Sequence, residues 1–338
     1  MIQFAEYLLT AALVFAVIAL VTNLILVSAS KRTSPRHTSQ KLAYADAPAC
    51  EVPPAGGSPT CDGVQDGTCD GVQDGRDIDS AQSEGVNEPG PGTTAACVKP
   101  KPASPVTVAH FAAGLEVVAL ALLTAYSGIR IGLTGHGPFA NQHEFAVSFA
   151  WGILAGDLIA QWRFRVRMIS LVVLPVAACM LFFAIQIGVE LNPLVPALQN
   201  NLLLTLHVGF AILSYGAACV SFAAAVLYLL HAKLHIRTPI EKLDEIGYKG
   251  AVVAFPLMTV MILLGSLWAN TAWGRYWGWD PKETAALVTW LLYGAFLHAR
   301  VARGWRGKKS AWLLVIGFAA VMFAYFGNYF FGGLHSYA

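Results

Sequence analysis

Long apolar stretches alternate with short polar ones along most of the chain. Each apolar stretch has roughly the 20 residues that an α-helix needs to cross the hydrocarbon core of a bilayer. The pattern predicts eight membrane-spanning helices and an all-α integral membrane protein. The predicted spans run about Phe4–Ser28, Val106–Ile129, Phe145–Ala160, Ile169–Val189, Leu202–Leu230, Ala251–Ala269, Pro281–Ala299 and Ala311–Phe330.

The composition agrees with this prediction. Of the 338 residues, 56% are hydrophobic and 12% are charged, whereas an average soluble domain has about 25% charged residues. These values argue against a soluble enzyme, a nucleic-acid-binding protein or a fibrous protein. The net charge of +2 does not indicate a nucleic-acid partner, because the basic residues cluster between the apolar stretches.

The positions of Lys and Arg predict the orientation of the spans, because cytoplasmic loops are enriched in both. With eight spans, 19 of the 22 basic residues fall on one side. The three on the other side are Arg130, Arg275 and Lys282. We therefore expect both termini outside and a multi-pass protein of the cytoplasmic (inner) membrane.

The segment between the first two spans has a different composition. Residues 30–105 are rich in Pro, Gly, Ser and Asp, and they include a repeat, in which Cys61–Gly67 and Cys69–Gly75 have the same sequence. Such a segment buries too little apolar surface to offset its ordering entropy, which favours a disordered cytoplasmic linker. A metal or redox site is the alternative, since the segment holds four of the six cysteines, but their spacing does not match a zinc pattern. The predicted organisation is an N-terminal helix at 1–29, the linker at 30–105 and a seven-helix domain at 106–338.

A tryptophan-rich outer loop at 268–283 joins the sixth and seventh spans. Five of the nine tryptophans lie between positions 268 and 290, namely Trp268, Trp273, Trp277, Trp279 and Trp290. An aromatic belt at the membrane interface is one interpretation. Glycines between the rings favour a second one, because they allow a flat partner to approach while the indoles provide stiff apolar faces. The second interpretation is a platform for a planar hydrophobic ligand.

The polar end of this loop also has two interpretations. Asp280, Pro281 and Glu283 fit a capping box that opens the seventh span, which is a structural role. Arg275 and Lys282 would pair with carboxylates of a ligand or with lipid phosphate.

Three histidines are candidates for function by their depth. His207 and His335 lie at the predicted outer ends of the fifth and eighth spans, level with the tryptophans. Two neutral imidazoles beside an aromatic shelf can ligate the two faces of a haem iron. His298 lies 17 residues beyond Pro281, roughly 25 Å deeper at 1.5 Å per residue, and an ionisable group there indicates function or snorkelling to the inner interface.

The tryptophan-rich stretch resembles the "WWD" signature of membrane proteins that handle haem. The matching residues are Trp273-Gly-Arg-Tyr-Trp277-Gly-Trp279-Asp280-Pro281-Lys282-Glu283. Within that superfamily the chain is most similar to the CcsA (ResC) type of the System II pathway of cytochrome c biogenesis. His207 matches the first external histidine of that family, and Gly-Gly-Leu-His335-Ser-Tyr resembles its C-terminal motif.

The resemblance implies roles for these residues. His207 and His335 would be the external axial ligands of haem b, which is a substrate here rather than a permanent cofactor. Trp273, Trp277 and Trp279 would hold the macrocycle on the extracytoplasmic face. His298 would be a transmembrane histidine that helps haem to cross.

The resemblance also implies partners. A CcsB (ResB)-type membrane protein would supply a second transmembrane histidine and a large outer domain. Haem would be attached through thioether bonds to apocytochrome c at a Cys-x-x-Cys-His segment, with thiol-reducing proteins supplying reduced thiols. The chain would then be a subunit of a cytochrome c haem lyase (synthase) complex, and none of its own side chains needs to be a nucleophile.

Two other functions stay open. A haem-delivery module of the System I type would load a haem chaperone without ligation. A transporter or quinone-binding subunit without haem is suggested by two carboxylates inside spans, Glu116 and Asp157.

Overall fold

In a computed structural model the described residues are 2–32, 105–139, 141–187, 201–234 and 236–335. They form eight α-helices, which are α1 Ile2–Arg32, α2 Pro105–Thr134, α3 Gln142–Phe164, α4 Ser170–Ile187, α5 Asn201–Leu234, α6 Ile240–Trp273, α7 Pro281–Ala302 and α8 Lys308–Phe330. No strand occurs in these ranges, and all eight helices are long and apolar enough to cross a membrane. The predicted all-α multi-pass fold is confirmed, while nearly all of the predicted linker lies outside the described residues.

The sixth helix differs most from its predicted bounds. It begins at Ile240 rather than Ala251 and continues to Trp273. Its first two turns carry charged residues, so hydropathy alone assigned them to a loop. Gly274, with φ of 72°, ends the helix, because a left-handed residue stops helical hydrogen bonding at little cost when it is glycine. The predicted outer loop of 268–283 is therefore reduced to residues 274–280.

Helix α5 lies at the centre of the bundle and packs against α3, α6 and α8, while α1 packs against α2 and α4. Small residues allow the closest approach. A Cβ atom on Gly216 of α5 would lie 2.3 Å from the carbonyl oxygen of Gly152 in α3. Such small-residue contacts are typical of helix pairs in membranes, where van der Waals packing drives association.

The carboxylates Glu116 and Asp157 are fully buried between helices. Gln161 Nε2 donates to both side chains, and Asn23 Nδ2 donates to Glu116 Oε1 at 3.4 Å. The cluster joins α1, α2 and α3 near the end of the bundle that the charge pattern predicts to be cytoplasmic. Glu116 of α2 accepts from amides of α1 and α3, and Gln161 links it to Asp157, which favours an interhelical role for this cluster.

A second polar cluster joins α2, α3 and α4 at the opposite end. Arg130 forms a buried ion pair with Glu144, with 2.6 Å between Nη2 and Oε1. Beside it, the hydroxyl of Tyr126 donates to His143 Nε2, and His143 Nδ1 donates to the carbonyl oxygen of Ala184 at 2.8 Å. Both ring nitrogens of His143 are therefore used by the protein itself.

Candidate functional site

A cavity lies at the predicted outer end of the bundle, among α3, α5, α6, α7 and α8. It encloses about 1000 Å³, including the part open to solvent. Most of its wall is apolar. Its aromatic and polar lining residues are Phe139, Phe145, His207, Tyr215, Ser266, Trp268, Tyr276, Trp277, Lys282, Glu283, Tyr325 and His335.

His207 reaches the cavity from the second turn of α5. Its Nδ1 donates to the carbonyl oxygen of Met261 in α6 at 2.8 Å. This bond places the lone pair of the neutral imidazole on Nε2, which has no hydrogen-bond partner among the described residues. Gly265 makes the approach possible, because a Cβ atom there would lie 2.7 Å from His207 Cε1.

His335 reaches the same cavity from the segment that follows α8. Its Nδ1 donates to Asp280 Oδ2 at 2.7 Å, and the side chain of His335 is 13% exposed. Gly333 allows this approach, since a Cβ atom there would lie 2.2 Å from Asp280 Oδ1. A carboxylate that orients an imidazole through Nδ1 is the usual support of a histidine that ligates a metal through Nε2.

The charge states of this pair fit that role. Burial acts to raise the pKa of Asp280, but hydrogen bonds from His335 and from the backbone N–H groups of Leu334 and Lys282 outweigh it, so the pKa lies below its ordinary value. The pKa of His335 is lowered, mainly because burial disfavours the charged imidazolium. At neutral pH the pair is therefore a carboxylate and a neutral imidazole, and the lone pair of His335 lies on Nε2.

Asp280 has a structural role and a positioning role at once. Its side chain accepts from Lys282 N at 3.1 Å and caps α7, and Glu283 Oε2 accepts from Asp280 N at 3.2 Å, so the predicted capping box is present. The same carboxylate accepts from Leu334 N at 2.5 Å and orients His335. The sequence indicated the cap, but it did not reveal that the cap also holds the terminal histidine.

The tryptophans of the cluster separate into three groups. Trp268, Trp273 and Trp277 lie at the cavity or against its histidines, and the Trp273 ring centroid is 4.9 Å from that of His335. Trp279 is 70% exposed and contacts Trp277 edge to face. Trp290 packs between α6 and α7, where its Nε1 donates to Thr259, so it belongs to the core.

The remaining candidates lie in three different places. Lys282 lines the cavity, with its Nζ 5.1 Å from the centroid of the Phe145 ring. Arg275 is exposed on the outer segment and lies over Gly278. His298 is exposed near the far end of α7, well away from the cavity.

Several lining residues were not identified from the sequence. Phe139 comes from the segment between α2 and α3, and Tyr215 and Tyr325 come from the interiors of α5 and α8. An aromatic residue inside an apolar span gives no signal of which face it occupies. Gly265 did carry a signal, because a glycine within a helix often marks a close approach.

Comparison with known proteins points to one family. Residues 140–335 match the family model described as cytochrome C assembly protein. The protein named cytochrome c biogenesis protein CcsA from Guillardia theta is 34% identical, over 66% of the chain and 84% of its own length. The protein of that name from Microcystis aeruginosa is 36% identical, over 64% of the chain and 83% of its own length. The protein of that name from Gloeothece citriformis is 34% identical over 70% of the chain and 89% of its own length.

The matched range contains the whole cavity apart from Phe139. It begins in the segment before α3 and ends at His335, so it includes both histidines, the tryptophans and the α7 cap. The likeness extends over most of the length of each relative. The chain therefore belongs to the cytochrome c assembly protein family, as a CcsA-type component of cytochrome c biogenesis.

Proposed function

We propose that the cavity binds haem b as a substrate, with His207 and His335 as its two axial ligands, and presents it at the outer face of the membrane. The observation that carries this proposal is the pairing of these histidines. Both imidazoles line one cavity, and each has its Nδ1 engaged by an acceptor. Each neutral ring is thus in the tautomer that ligates iron through Nε2.

The wall of the cavity suits a flat apolar macrocycle. Trp268 and Trp273 contact each other edge to face at 4.8 Å between centroids, and the Trp268 ring lies near both histidines. Trp277 forms part of the mouth together with Tyr276, which is 57% exposed. Stiff indole faces bind such a surface at low cost in conformational entropy.

We propose that haem is attached to apocytochrome c while it is held in this cavity. Each thiol of a Cys-x-x-Cys-His segment adds across one vinyl group, which forms an S–C bond and transfers the thiol hydrogen to the neighbouring carbon. No atom leaves in this addition and no electrons are exchanged with a third reactant. The contribution of the chain is to hold and orient haem, which lowers the entropic part of the barrier.

The path of haem through the membrane involves His298 in this proposal. His298 is exposed on α7, near the end of the helix that is predicted to be cytoplasmic. An exposed imidazole on a membrane helix is suited to share a ligand with a neighbouring protein. We propose that a CcsB (ResB)-type membrane protein lies there, supplies a second histidine and meets apocytochrome c on the outer side.

Absorption spectroscopy tests the proposal. The full chain is expressed with a CcsB-type partner in haem-replete cells and in haem-depleted cells, and is purified in detergent. We expect a Soret band from the haem-replete cells alone, with the α and β bands of iron bound by two histidines after reduction. A colourless protein from haem-replete cells would overturn the proposal.

A further inference from the structure

Two hydrogen-bond donors of cavity-lining residues have no acceptor among the residues that the structure describes. One is the ammonium of Lys282, which takes part in none of the ion pairs or side-chain hydrogen bonds found among the described residues. The other is the indole N–H of Trp268, a residue that is 2% exposed and whose Nε1 is buried with no partner in that same part of the chain. A buried donor such as the Trp268 indole is rarely left unpaired. A cavity lined by this residue and by a half-buried ammonium fits a ligand with acceptor groups.

The carboxylates nearest to Lys282 in the sequence are engaged by other groups. The neighbouring carboxylates, Asp280 and Glu283, direct their oxygens at backbone N–H groups of the α7 cap and at His335. The Lys282 ammonium lies instead over the Phe145 ring. A cation–π contact holds a cation in place and leaves its other donors available.

Trp268 lies close to both cavity histidines. Its ring lies 6.4 Å from that of His207 and 5.9 Å from that of His335, measured between centroids. Lys282 and Trp268 therefore border the same space as the two histidines. A macrocycle ligated by these histidines would lie beside both residues.

We infer that Lys282 and the indole N–H of Trp268 bind the carboxylate-bearing edge of the tetrapyrrole and so set a single orientation of the macrocycle in the cavity. This inference rests on the proposed function, because it takes haem as the occupant. Haem carries its two propionates on one edge, and its vinyl groups lie elsewhere on the ring. Anchoring the propionates at Lys282 directs the vinyl groups away from it, where incoming thiols can reach them.

A ligand that lacks the charge tests this inference. Haem dimethyl ester keeps the iron, the ring and both vinyl groups, but its propionates are neutral. The full chain in detergent is titrated with haem and with the ester, and binding is followed by the Soret band. The preference for haem over the ester is measured in the wild type, in Lys282→Met, in Lys282→Arg and in the control Arg306→Met, which removes an exposed cation from the loop between α7 and α8 at the opposite end of the bundle.

We expect Lys282→Met to reduce the preference for haem by roughly tenfold, because a hydrogen bond to a charged group contributes that much or more. Its affinity for the ester should stay near that of the wild type, which also shows that the variant is folded. Lys282→Arg keeps the charge and should keep a preference. Arg306→Met should keep the full preference.

The inference would be overturned if Lys282→Met keeps the preference for haem, or if it loses affinity for both ligands equally. Either result would leave the proposed function in place. If Lys282→Met aggregates, the test uses Lys282→Arg instead. A Lys282→Arg variant that binds haem and the ester equally well contradicts the inference. A wild-type protein that binds neither ligand would overturn the proposed function, and the inference with it.

Discussion

Two histidines at the predicted outer end of the bundle show how the same side chain serves different purposes. His143 in α3 is 2% exposed, and its two ring nitrogens bond to Tyr126 and to the carbonyl oxygen of Ala184. His207 in α5 uses only Nδ1, in its bond to Met261, and its ring lines the cavity. The protein uses the whole hydrogen-bonding capacity of His143 and half of that of His207.

The difference separates a structural cluster from a binding site. A saturated buried imidazole joins helices, and no nitrogen is available to a ligand. An imidazole held by one nitrogen on a cavity wall is oriented for a ligand at the other. His335 lines the same cavity as His207, and its Nδ1 is oriented by Asp280.

Replacing either cavity histidine is expected to have the largest effect. His207→Ala or His335→Ala removes one axial ligand, so bound haem and cytochrome c output should fall strongly. Added imidazole should partly restore assembly, because it can occupy the vacated position. Measurement of the Soret spectrum and of covalent haem in cytochrome c checks this, and wild-type values in both variants would contradict the assignment.

The matched variant is His143→Ala, which should behave in the opposite way. It leaves the Tyr126 hydroxyl and the Ala184 carbonyl without a partner, which costs about 1–3 kcal/mol for a buried group. Thermal unfolding should shift to lower temperature, while the folded fraction keeps the wild-type Soret maximum. A change in axial ligation in this variant would remove the distinction between the two histidines.

Substitution of Asp280 separates its two roles. Asp280→Asn keeps a good N-cap but removes the carboxylate that holds His335. Haem affinity should therefore fall by about 10–100-fold, as it does when other groups that orient a metal ligand are removed. Asp280→Ala should lose the same affinity and about 1 kcal/mol of stability in addition. Haem titration and thermal unfolding of both variants check this, and an unchanged affinity in Asp280→Asn would show that the carboxylate acts only as a cap.

Gly265 offers a smaller test of the His207 position. In Gly265→Ala the new methyl group would lie 2.7 Å from His207 Cε1 and 2.8 Å from Nδ1. The imidazole must move, which costs about 1–3 kcal/mol and weakens axial ligation. Gly209→Ala is the control, since nothing lies within 4 Å of its new atom. We expect lower haem affinity in Gly265→Ala alone. Equal affinities in the two variants would argue against the close contact between Gly265 and the His207 ring.

The smallest change in the isolated protein is expected at His298. Because this side chain is exposed, His298→Ala should alter the free energy of unfolding by no more than about 0.5 kcal/mol. Its effect should appear in cells, as a lower haem occupancy of the outer cavity, while titration of the purified variant gives wild-type affinity. Normal occupancy in cells would remove His298 from the path of haem.

Prediction from sequence succeeded where the physical cause is local. The capping box at Asp280 and Glu283 depends on neighbouring residues, and it lies where it was expected. The start of α6 was wrong by 11 residues, because charged side chains in its first turns hide a helix that extends beyond the apolar stretch. Among the tryptophans, sequence proximity suggested one cluster, but Trp290 packs in the core and Trp279 is exposed.

The sequence by itself determined the eight spans and the all-α class, because the thickness of the hydrocarbon layer and the need to satisfy backbone polar groups leave few alternatives. Only the tertiary structure decided which histidines line a cavity. The bonds that orient them join positions 54 and 55 residues apart, from His207 to Met261 and from His335 to Asp280. Such contacts depend on which helix faces meet, and local patterns of polarity do not contain that information.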